Sequence, residues 1–123
     1  MSLSIVEKRF CPAKVNLFLK VLGKRPDGYH EIATLMQPIS LYDEAIVEIA
    51  DGSGVETRCS SLDTNNPTEA PSGPSNLAYM AAEVFLKKIG ISKKVKISIV
   101  KNIPVGAGLG GGSSNAASVL MAL

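Results

Sequence analysis

The 123 residues suffice for one domain, or part of one, with a real core, and 13 basic against 11 acidic residues with 5% aromatics offer no nucleic-acid surface. Two cysteines, Cys11 and Cys59, without a Cys-x-x-Cys pair, and a single histidine exclude a zinc site of ordinary spacing and read as the reduced thiols of a cytoplasmic protein. No apolar stretch approaches the ~18 residues of a membrane span, and Met1-Ser-Leu-Ser-Ile lacks the layout of a signal peptide, so neither membrane insertion nor export is expected.

In chain order, residues 5–11 form a short predicted strand that Pro12 follows. From Val15 the pattern alternates: Val15, Leu17, Leu19 and Val21 are expected to make a core-facing row, with Asn16, Phe18, Lys20 and Leu22 opposite. Lys14 falls on the Asn16 side, so an ammonium and a carboxamide stand two residues apart on one face, a pattern that also fits the solvated half of an antiparallel strand. Pro26-Asp27-Gly28 is a turn signal, because proline fixes φ and glycine accepts a positive one. Tyr29 and His30 emerge from it, where loop residues commonly carry binding contacts. Strands are predicted over 31–41, 45–50 and 55–60, with Asp51-Gly-Ser-Gly54 joining the last two as a hairpin and Pro38 marking an edge or a bulge.

Residues 61–75 carry Ser, Asn, Thr, Pro and Gly with little to pack, and are expected to be a long, mobile surface loop. Ser75 is the expected N-cap of a helix over 76–89, with Leu77, Ala81, Val84, Phe85 and Lys88 on one face and Gly90 closing it. A strand over Val95–Val100 alternates Val95, Ile97 and Ile99 against Lys96, Ser98 and Val100. No internal repeat is visible. The order predicts an α+β architecture: a mostly antiparallel sheet with helices from 76 and from 115 packed on one side.

That last strand delivers the most informative segment, Pro104-Val-Gly-Ala-Gly-Leu-Gly-Gly-Gly-Ser-Ser-Asn-Ala-Ala117. Five glycines in seven positions (106, 108, 110, 111 and 112) leave a main chain that a ligand can approach directly. Ser113 and Ser114 follow, then a helical pattern in which Ala116, Ala117, Val119, Leu120 and Leu123 share a face. A glycine loop feeding a helix N-terminus gathers unpaired N–H donors at the positive end of the helix dipole, a phosphate site. A P-loop is excluded, since no lysine or arginine occurs from Asn102 to Leu123. A protein-kinase glycine loop should return as a strand, whereas this one runs into alanine-rich helix. The dinucleotide spacing does fit at Gly106, Gly108 and Gly111, but the strands before it make a poor βαβ opening.

Pro104-x-x-x-Gly108-Leu109-Gly110-x-x-x-Ser114 resembles the Pro-x-x-x-Gly-Leu-Gly-Ser-Ser-Ala motif of the GHMP kinases, the galactose, homoserine, mevalonate and phosphomevalonate kinase superfamily. Pro12-Ala13-Lys14-Val15-Asn16-Leu17-Phe18-Leu19 and the run from Leu22 through Gly28-Tyr29-His30-Glu31 are similar to its branch acting on 4-diphosphocytidyl-2-C-methyl-D-erythritol. The resemblance implies a GHMP-kinase N-terminal domain, related to a ribosomal-protein domain, with a left-handed β-α-β crossover. It implies transfer of the ATP γ-phosphate to the 2-hydroxyl of that substrate, in the non-mevalonate route to isoprenoids, with ATP and Mg²⁺ as cofactors. Pro104, Gly106, Gly108, Leu109, Gly110, Gly111, Gly112, Ser113 and Ser114 would then hold ATP phosphates, Asn76 and Leu77 would line the adenine and ribose, and Lys101 would approach the nucleotide. Lys14 would be catalytic, Asn16 would bond the acceptor or hold Lys14, Tyr29 would stack on cytosine, and His30 would meet the base edge.

No metal-ligating residue is assigned, and the oligomeric state is left open. The alternatives are a kinase for a mevalonate-type alcohol, a nucleotide-binding module without catalysis, and a dinucleotide-dependent oxidoreductase. The base implied by the resemblance is an aspartate in a Leu-Gly-Ala-Asp-Val-Pro segment, and none of Asp27, Asp43, Asp51 and Asp63 has that context. The expectation is therefore a truncated N-terminal, ATP-binding domain over 1–123, without its C-terminal domain and without turnover on its own.

Overall fold

A computed structural model describes residues 4–61, 71–105 and 108–123. In chain order the elements are β1 (Ile5–Lys24), β2 (His30–Ala50), β3 (Val55–Ser61), α1 (Leu77–Ile89), β4 (Lys94–Lys101) and α2 (Gly111–Ala122). The strands form one sheet in the order β1-β2-β4-β3, antiparallel at β1–β2 and β2–β4 and parallel at β3–β4. This is the expected α+β architecture, with a mixed and mostly antiparallel sheet. Among the described residues no helix is long and apolar enough to cross a membrane.

The predicted hairpin between β2 and β3 does not form, because β4 lies between them. Gly52 and Gly54 both take positive φ in the link, and the Gly54 carbonyl accepts from the Val95 N–H at 3.0 Å. The link thus steps across the end of β4 and leaves β3 to pair with it in parallel. The burial of β4 explains its central place: Val95, Ile97 and Ile99 are closed to solvent on the face the helices cover. On the same face β2 contributes Ala45 and Val47, α1 contributes Ala78 and Ala82, and α2 contributes Val119.

Helix α1 is capped by Asn76 rather than Ser75; its side-chain oxygen accepts from the Ala78 N–H at 2.8 Å. The other end behaves as expected: Gly90 takes φ 71° and donates to the Leu86 carbonyl, while Lys87 and Lys88 complement the dipole. The packed face runs through Ala78 and Ala82 to Leu86, one residue round from the predicted row, and Val84 faces solvent. Alanine lets the helix axis approach the sheet, which outweighs burying larger side chains further out. Helix α2 begins at Gly111, four residues before the expected start. It packs through Gly111, Asn115, Ser118 and Val119, with Leu120 outward.

The two strands predicted around Pro12 are one, Ile5–Lys24, with irregular pairing after Pro12, Asn16 and Val21. Proline is tolerated because β1 is an edge strand with one free side. The segments predicted over 31–41 and 45–50 likewise merge into β2, and Pro38 stands opposite Lys14 at the first irregularity. Beyond that point β1 and β2 extend past the sheet as a two-stranded ribbon. The expected core row is not buried there: Leu17, Leu19 and Val21 are 61%, 55% and 58% exposed. The irregularity between Asn16 and Phe18 interrupts the alternation.

Of the loop expected at 61–75, residues 62–70 lie outside the described residues. Its last part is tied to β3, for the Cys59 N–H donates to Ser72 Oγ at 3.0 Å and Asn76 Nδ2 donates to the Pro71 carbonyl at 2.8 Å.

Ile97→Ala should cost about 2–5 kcal/mol in urea unfolding. Leu19→Ser, in the row whose pattern predicted core, should change stability by no more than about 0.5 kcal/mol.

Candidate functional site

The glycine run is where three elements close on one helix end. Gly110 is the N-cap of α2 at φ 71°, offers no capping side chain, and its carbonyl accepts the first helical bond, from Ser114 N at 2.9 Å. The N–H groups of Gly111, Gly112 and Ser113 therefore have no partner one turn back in the helix. Each glycine of the triplet has a different steric reason. A Cβ at 110 would lie 3.1 Å and 3.2 Å from two carbons of the Lys14 stem, one at 111 would lie 3.0 Å from Ile103 Cγ2, and one at 112 would lie 3.2 Å from Leu77 Cδ1. Gly108 differs: nothing crowds it, and its φ of 75° alone favours glycine. Gly106 lies outside the described residues.

Lys14 reaches the run from β1. Its main-chain N–H donates to the Leu109 carbonyl at 2.9 Å, and its ammonium donates to the Gly108 carbonyl at 2.7 Å. One of three ammonium protons is thus used on the loop, and two are left for other acceptors. Pairing is regular from Lys14 to Asn16, so their side chains share a face as expected. Asn16 Oδ1 accepts from Thr34 Oγ1 at 3.1 Å, which fixes the carboxamide against β2 rather than against Lys14.

A cavity of about 320 Å³ opens at this helix end, and Asn76, Leu77, Lys101, Pro104, Gly108, Leu109, Gly110, Gly111, Gly112 and Ser113 are among its lining residues. Lys14, Ser114, Asn16, Tyr29 and His30 are not. Tyr29 and His30 stand at the ribbon tip, where Gly28 takes φ 91° and the Tyr29 N–H donates to Asp27 Oδ1 at 3.0 Å. The tyrosine ring is 73% exposed there and free to meet a ligand. A larger, shallower groove of about 440 Å³ lies along the other end of α1, from Tyr79 to Lys93, away from every one of these residues.

Lys101 is neither a surface lysine nor a free cation facing the cavity. It is 2% exposed, its ammonium pairs with the Asp43 carboxylate, and it donates to Asn115 Oδ1 at 3.0 Å. Asp43 and Asn115 are the residues that the sequence reading missed. The signal was present: Asp43, Ala45, Val47 and Ile49 alternate along β2, which puts a carboxylate in the core-facing row. Next to this cluster, burial pushes the Cys59 thiol above its ordinary range, more than the nearby Lys101 charge lowers it.

Residues 76–123 match the family described as the GHMP kinases N terminal domain. The chain carries a GHMP kinase N-terminal domain. It is similar to a protein of Desulfitobacterium hafniense (strain Y51) named 4-diphosphocytidyl-2-C-methyl-D-erythritol kinase, 50% identical over 93% of this chain and 36% of the relative. A second protein of that name, from Methylacidiphilum infernorum, is 45% identical over 100% of this chain and 41% of the relative. The crystal structure of a 4-(cytidine 5'-diphospho)-2C-methyl-D-erythritol kinase superposes with a TM-score of 0.76 at 47% identity, covering 95% of this chain and 39% of that one. The chain thus spans about two fifths of the length of the curated relatives it matches. In this domain the matched segment runs from the Asn76 cap of α1 through β4 and the glycine run into α2, and so contains every cavity-lining residue named above.

Gly110→Ala should lower the melting temperature more than Gly108→Ala. Both bear the roughly 1–2 kcal/mol of a left-handed residue, and only Gly110 also presses on Lys14. Cys59 should alkylate more slowly than a free thiol at pH 8, the gap narrowing as pH rises, because a raised pKa leaves less thiolate at any given pH.

Proposed function

We propose that this chain is the ATP-binding part of a kinase that moves the γ-phosphate of ATP to the 2-hydroxyl of 4-diphosphocytidyl-2-C-methyl-D-erythritol, in the non-mevalonate route to isoprenoid precursors. The observation that carries the reading is the glycine N-cap of α2. It opens the first-turn amides of the helix toward a cavity lined by Gly108 to Ser113, and the Lys14 ammonium bonds the carbonyl of one lining residue, Gly108. The relatives' shared name supports the choice of acceptor.

The α- and β-phosphates would lie against the amides of Gly110 to Ser113, with Pro104, Gly106 and Ser114 completing the loop. Asn76 and Leu77, at the start of α1 on the same cavity, would face the adenine and ribose. Lys101 belongs to the site through Asp43 and Asn115, beneath the loop. Phosphoryl transfer depends on positioning and on spreading charge, and a main-chain cradle with one ammonium supplies both. The acceptor oxygen would bond to the γ-phosphorus as the bond to the bridging β–γ oxygen breaks, and ADP would leave. The hydroxyl proton would pass to the aspartate base that the resemblance implies, which is none of Asp27, Asp43, Asp51 and Asp63. The two free protons of the Lys14 ammonium would stabilise the alkoxide developing on the acceptor. Tyr29 and His30 would take the cytosine by ring stacking and by hydrogen bonds to its edge, and Asn16 would reach the acceptor from the Lys14 face. Mg²⁺ would arrive on the ATP phosphates, since magnesium keeps several waters and is commonly held in part by substrate phosphate. The free thiols of Cys11 and Cys59 suit a cytoplasmic setting.

Phosphorus NMR of the complete gene product with Mg-ATP and the acceptor should show a new phosphomonoester signal. Lys14→Ala should slow it about 10²–10³-fold. The 123-residue chain should bind Mg-ATP without turning over. ATP binding with no phosphomonoester from the complete product would leave the loop assigned and overturn the acceptor.

A further inference from the structure

We propose that Asp43 is the positioning residue of the glycine loop: a single buried carboxylate holds both ends of the segment that cradles the phosphates. This rests on the reading of that loop as the nucleotide site. Asp43 has no solvent exposure. Its Oδ1 accepts from the Asn102 N–H at 2.6 Å and from the Ile103 N–H at 2.8 Å, the two residues before Pro104. Its Oδ2 accepts from the Lys101 ammonium and from Asn115 Nδ2 at 3.0 Å, and Asn115 is four residues into α2 from Gly111. Every donor to the carboxylate therefore brackets the loop, on its incoming strand or its outgoing helix.

The position follows from the ladder. Main-chain pairing between β2 and β4 stops at Glu44 opposite Val100. The chain beyond turns away, and its next amides need an acceptor that β2 no longer offers through its backbone. The Asp43 side chain supplies it. Stability alone is a poor reason for this arrangement, since a buried ion pair is commonly replaced by apolar residues at no loss, and Ala45 and Val47 fill the same row with apolar side chains. What an apolar residue at 43 would lose is direction. Asn115 links the carboxylate to α2, so the aim of the Gly111, Gly112 and Ser113 amides is set from Asp43. The carboxylate also keeps the Lys101 ammonium on itself, although the lysine is part of the cavity lining.

The test uses the complete gene product carrying Asp43→Leu with Lys101→Met, which removes acceptor and charge together and refills their volume. Melting temperature, the KM values for ATP and for the acceptor, and amide exchange in nucleotide-free protein are read on the same samples. The expected result is a fold retained, KM for ATP raised about tenfold or more, KM for the acceptor within about twofold, and faster exchange of the Lys14 and Ser114 N–H groups, which bond the Leu109 and Gly110 carbonyls of the loop. An unchanged KM for ATP, or equal rises in both KM values, overturns the proposal. If the double variant does not fold, Asn115→Ala decides: it leaves the ion pair and cuts the arm to α2 together with the Lys101 bond to Asn115. Because Asn115 also lines the cavity, a selective rise in KM for ATP supports the proposal only with faster exchange of the Lys14 and Ser114 N–H groups in nucleotide-free protein. A KM rise without it, or parent-like values, overturns the proposal. If the parent binds no ATP, the reading of the loop fails instead, and the exchange of the Lys14 and Ser114 N–H groups alone then judges the anchor.

Discussion

A charged carboxylate can stay out of water only if every lone pair is met, and Asp43 meets that condition with two main-chain amides, an ammonium and a carboxamide. Much of the rest hangs on this point. It lets β4 leave the sheet without stranding its amides, and it holds the first turn of α2 over the end of β2. Lys14 then closes the loop from the opposite side, with its backbone on Leu109 and its ammonium on Gly108. The loop is pinned at its start and its exit from β2, and at its tip from β1.

The chemistry follows from what is absent inside that frame. No lysine or arginine occurs between Asn102 and Leu123, so a phosphate bound here, as proposed, would meet oriented amides rather than mobile charges. Amides fixed by the fold need no reorganisation when charge shifts from one phosphate oxygen to another. The Lys14 cation at the Gly108 carbonyl comes from β1, the strand that also carries Asn16. The glycine loop and the strand proposed to meet the acceptor are therefore joined through one side chain, the arrangement that the proposed transfer between two substrates would require.

Much of this was legible in the sequence where local rules decide. The Pro26-Asp27-Gly28 turn, the Gly90 cap, the alternation of β4 and the delivery of the glycine run into a helix N-terminus each follow from residue type and spacing. The failures share a cause: they depended on what lies on the other side of an element. Leu17, Leu19 and Val21 alternate like core, yet the ribbon they sit on runs beyond the helices. Asp51-Gly-Ser-Gly54 looks like a hairpin because the arrival of β4 between its arms is a long-range event. Both helices turned toward small residues, since close approach to the sheet mattered more than the area of any one side chain. Asp43 was missed because the predicted strands over 31–41 and 45–50 left it in the gap between them, whereas β2 runs through unbroken and carries its alternation with Ala45 and Val47.

The three adjacent glycines bear on how this site can change over evolutionary time. Each abuts a different neighbour, so a side chain gained at one position is not accommodated by slack at the next. Relief at 110 would mean shortening Lys14, and relief at 111 would disturb Ile103 and Lys101, which the Asp43 cluster holds. Only at 112 is the obstacle the tip of a half-exposed side chain, Leu77, that can swing into solvent without breaking a hydrogen bond. Sequence drift in the triplet is thus channelled to its last position, and the first two are locked by epistasis with residues that have work of their own.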